Sequence, residues 1–563
     1  MRFRPLEAVV VILALLAGLA ILYGPALQEG LPRVSGDVFD GRIFIAVLEH
    51  WYGVVLGENA PLSPNHFYPY PYTLSYGDGL LFGGLVYAVP RSFGFDPFVS
   101  LEITNAVVCS IGFVATYLVA RRLLGVSVLL ALFAALVALL ANSLAIRGIH
   151  AQLLYTAFFP VGILLVWPLF LALTGSGGRS SRGMGPVSLA LATVVLFYVW
   201  AMTSFYSLFA FVLFMTIALA AAMGLDVALR GRVWSAVRRP APALVVLLVG
   251  LVAAAVAVFA LYSQSGHGGH SVSSMKAGTR TLVDAFNVGG SNWIWGGLMP
   301  SLTDLLSAGG NPNDPYGLSP VFLLTFLAAL GWLIWLVGSH RRISAGRSSG
   351  DVDRATFACA LGIAALVLGL FAFRIGPVAL FQPVFVLVPG ASAIRLPVRF
   401  LLFIGPVVAL VTAFGLDLFA RRGRASAIAV AVVGLFILAE QGHSESAFRL
   451  DRHEEQALLD EIGSPPAACR SFYVYNPRIG PTGDDAVNHY YAHGVDAMMI
   501  AAYVKLPTVN GMATFWPNEW GLTGPFEPDY LARVADFAER KGIEDGLCGL
   551  DLKERRWTGR APG

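Results

Sequence analysis

Runs of about twenty apolar residues recur from the N-terminus almost to residue 441, and they constrain this chain more than any other feature. Such a run reads as a membrane-spanning helix, because backbone in hydrocarbon must satisfy its own hydrogen bonds. The runs lie near 8–28, 99–119, 127–146, 151–173, 187–204, 206–224, 242–263, 319–338, 355–374, 398–419 and 425–441. Of the 563 residues, 56% are hydrophobic and only 13% charged, where a soluble chain carries roughly 25%. One aqueous core cannot absorb that much apolar surface. The expected fold is an all-α polytopic membrane protein with about 11 transmembrane helices and juxtamembrane helices, 1–441, and a small C-terminal α/β extracytoplasmic domain, 442–563. The net charge of +3 gives no reason to expect nucleic acid as a partner.

The first run follows Met1-Arg2-Phe3-Arg4, as in a secretory signal, but no clear small-x-small cleavage site follows it, so it is expected to be retained. The segment Leu80 to Val89 is too short to span and is closed by Pro90 and Arg91, so an interfacial helix is expected. Leaving it out places every dense basic loop on one side: Arg2/Arg4, Arg121/Arg122, Arg179/Arg182, Arg230/Arg232/Arg238/Arg239, Arg341/Arg342/Arg347 and Arg421/Arg422/Arg424. By the positive-inside rule that side is cytoplasmic. The expected location is a bacterial inner (cytoplasmic) membrane, N-terminus inside and tail outside. The outer pieces are then 29–98, 264–318, 375–397 and the tail, and any chemistry is expected there.

The first outer loop begins SGDVFDGRIFIAVLEHW. Asp37 and Asp40 stand three apart and share a face if a helix starts there. Phe39, Ile43, Val47 and Trp51 form an apolar stripe. Asp37 is also placed to cap the helix; against that, two carboxylates beside the membrane are candidates for catalysis. Tyr68, Tyr70, Tyr72 and Tyr76, stiffened by Pro69 and Pro71, suit either an aromatic belt at the headgroups or a stacking wall for a sugar ring, with Tyr70 and Tyr72 the chosen candidates. Asp78 opens the interfacial helix as a cap or a substrate ligand, and His66 reads as an ordinary loop histidine.

Arg395 and Arg399, in PGASAIRLPVRF, sit where the chain re-enters the bilayer. They suit headgroup snorkelling or a clamp on a lipid phosphate. Arg147 and His150 lie at an outer helix end, and His150 is kept as a substrate-binding candidate. The Gly-, Ser- and Trp-rich stretch 264–318 suits a mobile flap, and its Asp284, Asp304 and Asp314 show no metal-binding spacing. Cys469 and Cys548, in an oxidising compartment, are expected to pair, and SFYVYN and DYLARVADFAERKG read as strand and helix of the tail. No Asp, Glu, Lys or Arg lies in the middle third of any span, which disfavours an ion-coupled transporter.

Together, Gly36-Asp37-Val38-Phe39-Asp40 after the first span, the juxtamembrane helices, a span ending in Ala120-Arg121-Arg122-Leu123 and an outer C-terminal domain resemble the GT-C class of membrane glycosyltransferases. Asp496-Ala497-Met498 and Asn510-Gly511 are similar to stretches in bacterial membrane proteins of this general type. The resemblance covers 1–420 as architecture. It implies a polyprenyl-phosphate-linked sugar donor, a glycan, lipid or protein acceptor, membrane lipids as partners, and an acidic catalytic base, which falls on Asp37 or Asp40. It fixes no cofactor and leaves a divalent metal open. The chain lacks a WWD-like motif and the Lys-Pro-Pro of the aminoarabinose-transferase branch; Tyr70-Pro71-Tyr72 lies nearby instead. The expected function is inverting glycosyl transfer to a hydroxyl at the outer membrane face. The rival readings are a lipid or polysaccharide transporter, a non-catalytic cell-envelope assembly factor, or a polysaccharide polymerase or ligase with an arginine-based site.

Overall fold

The computed structural model describes residues 5–148, 150–175, 184–238, 241–265, 269–301, 315–343 and 350–559. Asp304, Asp314, Arg2, Arg4, Arg179, Arg182, Arg239 and Arg347 lie outside the described residues.

The chain is mostly helical. Among the described residues, ten helices are long and apolar enough to cross a membrane: Pro5–Gln28, Pro97–Leu124, Val128–Arg147, Ala151–Leu173, Pro186–Thr203, Phe205–Leu225, Pro242–Tyr262, Pro320–Ser339, Asp353–Leu370 and Pro397–Ala420. The last is almost wholly enclosed by its neighbours and forms the axis of the bundle, whereas the first is nearly bare. The expected eleventh span is a shorter apolar helix, Arg424–Ala439, of 16 residues. At 1.5 Å per residue it is ~24 Å long, against roughly 30 Å of hydrocarbon. Its far end abuts the start of the Pro320 helix: the Glu440 carboxylate accepts the Val321 and Phe322 N–H groups at 2.8 and 3.1 Å. A distant side chain thus caps a helix whose first N–H groups have no partner within it.

Leu81–Ser92 is a 12-residue helix and does not span. It packs against the loop helix Asp40–Val55, whose opposite face is covered by the tail. Parts of the stretch expected as a flap are pinned. Asn292 donates to Asn142 and to the Glu440 carbonyl, and Thr281 and Asp284 form a capping box.

The tail carries a mixed sheet in the order β5–β6–β7, named after four two-residue strands: β1 (Arg33–Val34), β2 (Arg374–Ile375), β3 (Val378–Ala379) and β4 (Leu450–Asp451). β5 (Ser471–Tyr475) lies parallel to β6 (Leu547–Asp551), and β7 (Arg556–Thr558) is antiparallel to β6. The parallel pair requires a crossover, supplied by the helices Ala492–Val504 and Tyr530–Lys541. Cys469 and Cys548 are disulfide-bonded, with Cα atoms 5.7 Å apart. The tail is stitched to the first loop: β1 pairs with β4, and the Phe67 and Tyr68 N–H groups donate to Asn510 and Thr508 carbonyls.

Candidate active site

The acidic part begins at a tight turn. Gly36 has φ of +108°, and a Cβ there would stand 2.5 Å from the Gly41 Cα, so only glycine allows the turn to close. Asp37 Oδ1 accepts the N–H groups of Phe39 and Asp40 at 3.0 and 2.8 Å. It therefore caps the loop helix with one oxygen. Asp40 Oδ2 stands 2.5 Å from His150 Nδ1, a close contact without an aligned hydrogen bond.

The basic part is the loop before the axial span. Its backbone is fixed from outside: a Cβ at Gly278 would meet the Arg395 carbonyl at 2.1 Å, the Val398 N–H donates to the Gly278 carbonyl at 3.3 Å, and the Tyr206 hydroxyl donates to the Leu396 carbonyl. The side chains are not fixed in the same way. Neither Arg395 nor Arg399 forms an ion pair among the described residues, and the buried Arg399 Nε has no hydrogen-bond partner. Arg399 lies over the Tyr206 ring at 5.9 Å. Arg147 stands within electrostatic range of Arg399 and Arg280.

Tyr491, supplied by the tail, joins the two parts. Its ring meets Phe39 edge-on at 5.3 Å. Burial first, and then the charge of Asp40, push its hydroxyl up to about 12; Asp37 acts in the same sense, while Arg395 and Arg399 oppose. Asp37, Asp40, Arg395 and Arg399 thus act on one hydroxyl. Asp78 adjoins the basic part. It accepts the Phe205 N–H, and burial raises its carboxyl to about 6 against the pull of Arg399. Burial, and then Arg395, hold His270 below the usual histidine range.

Tyr70 and Tyr72 lie apart from this group. Tyr70 donates to the Asn518 carbonyl at 3.0 Å, with Lys541 Nζ 4.4 Å from its ring centre; Tyr76 is buried in the tail's core, and Tyr72 is exposed. Tyr70 and Tyr76 attach the loop to the tail, a role that neither reading of their sequence included. His66 is buried beside Phe67, and burial lowers it to about 3. Among the described residues no three His, Cys, Asp or Glu side chains are grouped to hold a metal.

Sequence reasoning missed Arg42, Glu455, Arg478, Asp496 and Tyr491. Arg42 left one signal: a lone cation on the largely apolar side of an amphipathic helix needs a buried carboxylate.

No family model and no curated protein matches the chain. Among solved structures, three similar ones align over most of the chain. An oligosaccharyltransferase from Archaeoglobus fulgidus, tethered to an acceptor peptide, aligns over 97% of this chain and 69% of its own, with 12% identity and a TM-score of 0.49. The arabinofuranosyltransferase AftD from Mycobacteria aligns over 90% of this chain and 32% of its own, with 15% identity and a TM-score of 0.44. ArnT from Cupriavidus metallidurans, bound to undecaprenyl phosphate, aligns over 97% of this chain and 92% of its own, with 13% identity and a TM-score of 0.37.

Proposed function

We propose that this protein transfers a sugar, with inversion, from a polyprenyl-phosphate donor to an acceptor hydroxyl at the outer face of the bacterial cytoplasmic membrane. The observation that carries the reading is that Asp37 and Asp40, together with Arg395 and Arg399, which have no ion-pair partner among the described residues, all lie within electrostatic range of the Tyr491 hydroxyl. A lipid phosphate is a good leaving group, so the reaction needs a base and a receiver of negative charge. Asp37 keeps one oxygen clear of its capping bonds. That oxygen takes the acceptor proton as the acceptor oxygen bonds to the anomeric carbon. The anomeric C–O bond breaks, its electron pair goes to the phosphate, and Arg395 and Arg399 meet the added charge. The acceptor is a glycan, a lipid or a protein.

The test is turnover of radiolabelled polyprenyl-phosphate sugars by the purified protein, with release of free sugar read when no acceptor is supplied. Inverted product and free polyprenyl phosphate are expected. No turnover across pentose and hexose donors, with or without membrane extracts as acceptor, would rule the reading out.

A second reading, a lipid transporter or a non-catalytic assembly factor, draws on one feature. An apolar cavity of about 830 Å³ lies between the first and third spans and the start of the tail, lined by Gly18, Leu22, Leu139, Leu144 and Phe448. It passes beside Ser35 but does not include the carboxylates. Donor binding without bond cleavage would favour this reading.

A further inference from the structure

Arg42 is only 2% exposed, in the first turn of the loop helix. It is held on three sides. Its Nε donates to Glu455 Oε2 at 2.9 Å and a terminal nitrogen donates to Glu455 Oε1; the other terminal nitrogen lies 3.1 Å from Asp496 and donates to the Val38 carbonyl at 2.7 Å. Both carboxylates are 1% exposed, and both also receive Arg478, which reaches Asp496 Oδ1 at 2.9 Å and Glu455 Oε1 at 3.2 Å. Two cations and two anions are thereby buried and balanced. Replacing such a cluster with apolar side chains often costs no stability, so its value lies in the geometry it imposes.

The geometry here concerns the acidic turn. Val38 lies between Asp37 and Asp40. Glu455 belongs to the tail helix Arg452–Ile462, and Asp496 to Ala492–Val504. Tyr491 immediately precedes the second of these helices. The helix that grips Arg42 is therefore directly preceded by Tyr491, whose ring meets Phe39 of the acidic turn edge-on at 5.3 Å.

We propose that Arg42 is a positioning residue: through Glu455 and Asp496 it fixes the Asp37–Asp40 turn against the C-terminal domain, so that the tail completes the site. The role in turnover rests on the glycosyltransferase reading; the role in fixing the turn does not. A displacement of about 1 Å in a catalytic group can cost 10²-fold in rate.

The test compares Glu455→Gln, which keeps shape, with Arg42→Lys, which keeps charge but loses the fork and the reach to Val38. Full-length proteins that elute as monodisperse species are assayed with a radiolabelled polyprenyl-phosphate sugar and by hydrogen exchange. For both variants, kcat should fall roughly 10- to 100-fold with the donor KM within about twofold, because Arg395 and Arg399 are untouched. Amides 38–42 should exchange faster and those of 394–399 should not. Glu455→Asp should recover part of the loss. Unchanged exchange at 38–42 in both variants would overturn the proposal, whether or not the wild type turns over donor. Faster exchange with an unchanged kcat would overturn the role in turnover. A wild type inactive on every donor would instead remove the glycosyltransferase reading, leaving the exchange result to decide on the turn alone.

Discussion

The acidic turn and the arginine loop both lie within electrostatic range of Tyr491 but are built on opposite terms. In the turn, every charged side chain has a partner: Asp37 caps, Asp40 meets His150, and Arg42 is enclosed by Glu455 and Asp496. In the loop the backbone is fixed, yet Arg395 and Arg399 have no ion-pair partner among the described residues. A buried donor without an acceptor costs about 1–3 kcal/mol. The turn is complete without a ligand; under the proposed function the loop would be completed by an anion. A site that holds a base ready and waits for a phosphate is expected to have this asymmetry.

The largest effect should come from the complete half. Asp37→Asn preserves the cap, since Asn caps about as well as Asp, but removes the base. Turnover should fall by roughly 10²–10⁴ with expression intact. Asp40→Asn should cost less, because Asp40 already faces His150. Wild-type turnover in both variants would reduce Asp37 to a cap and end the contrast as a catalytic one. The disulfide sharpens the contrast in another way. The turn is held by the tail, and the loop by Gly278 and by Tyr206 of a span. Cys469→Ser with Cys548→Ser should destabilise the tail by roughly 2–4 kcal/mol and raise exchange at 38–42 while sparing 394–399. Equal loosening of both segments would show that they are one unit.

The smaller effects test the incomplete half. Arg399→Lys should weaken donor binding at least about tenfold, the order expected when a charged hydrogen bond is lost. Arg399→Met should abolish the donor contact yet raise the Tm of the ligand-free protein, because a buried unpartnered donor is removed. A lower Tm would mean that Arg399 is already satisfied by the protein.

Sequence made the bundle legible because span length is a local property, read within about twenty residues. The same argument excluded Leu80–Val89, which forms the non-spanning helix Leu81–Ser92. Asp37, Asp40, Arg395 and Arg399 were legible as charges next to the ends of spans. What failed was long-range. Arg42 meets a carboxylate 413 positions away, and Tyr70 meets Asn518 across 448. No periodicity encodes such a pairing, so Tyr70 and Tyr76 read as belt or sugar wall when their partners were in the tail. Asp37 shows a different limit: capping and catalysis ask for the same residue at the same position, and one carboxylate has oxygens for both.

The last and smallest effect concerns Asp78, the carboxylate that could have completed the arginine loop. Burial lifts its pKa from 3.8 to about 6, even though Arg399 and the Phe205 N–H both pull it down. Between those two values the folded protein keeps a proton that the unfolded chain has released. Stability from this group is therefore fully present below the lower value and is lost as pH rises through the upper one. A shift of this size corresponds to at most about 3 kcal/mol, and to less here because the side chain is only partly buried. Asp78→Asn retains an acceptor for the Phe205 N–H and removes the charge. Its Tm should exceed that of the wild type at pH 7.5, and the gain should shrink towards zero by pH 4. That outcome would mean that the pull of Arg399 does not offset the cost of burying the ionised Asp78, so the two do not form a self-sufficient pair. A loss of Tm at pH 7.5 would make Asp78 the working partner of Arg399. The loop would then be as self-sufficient as the turn, and the case for a waiting phosphate site would fall.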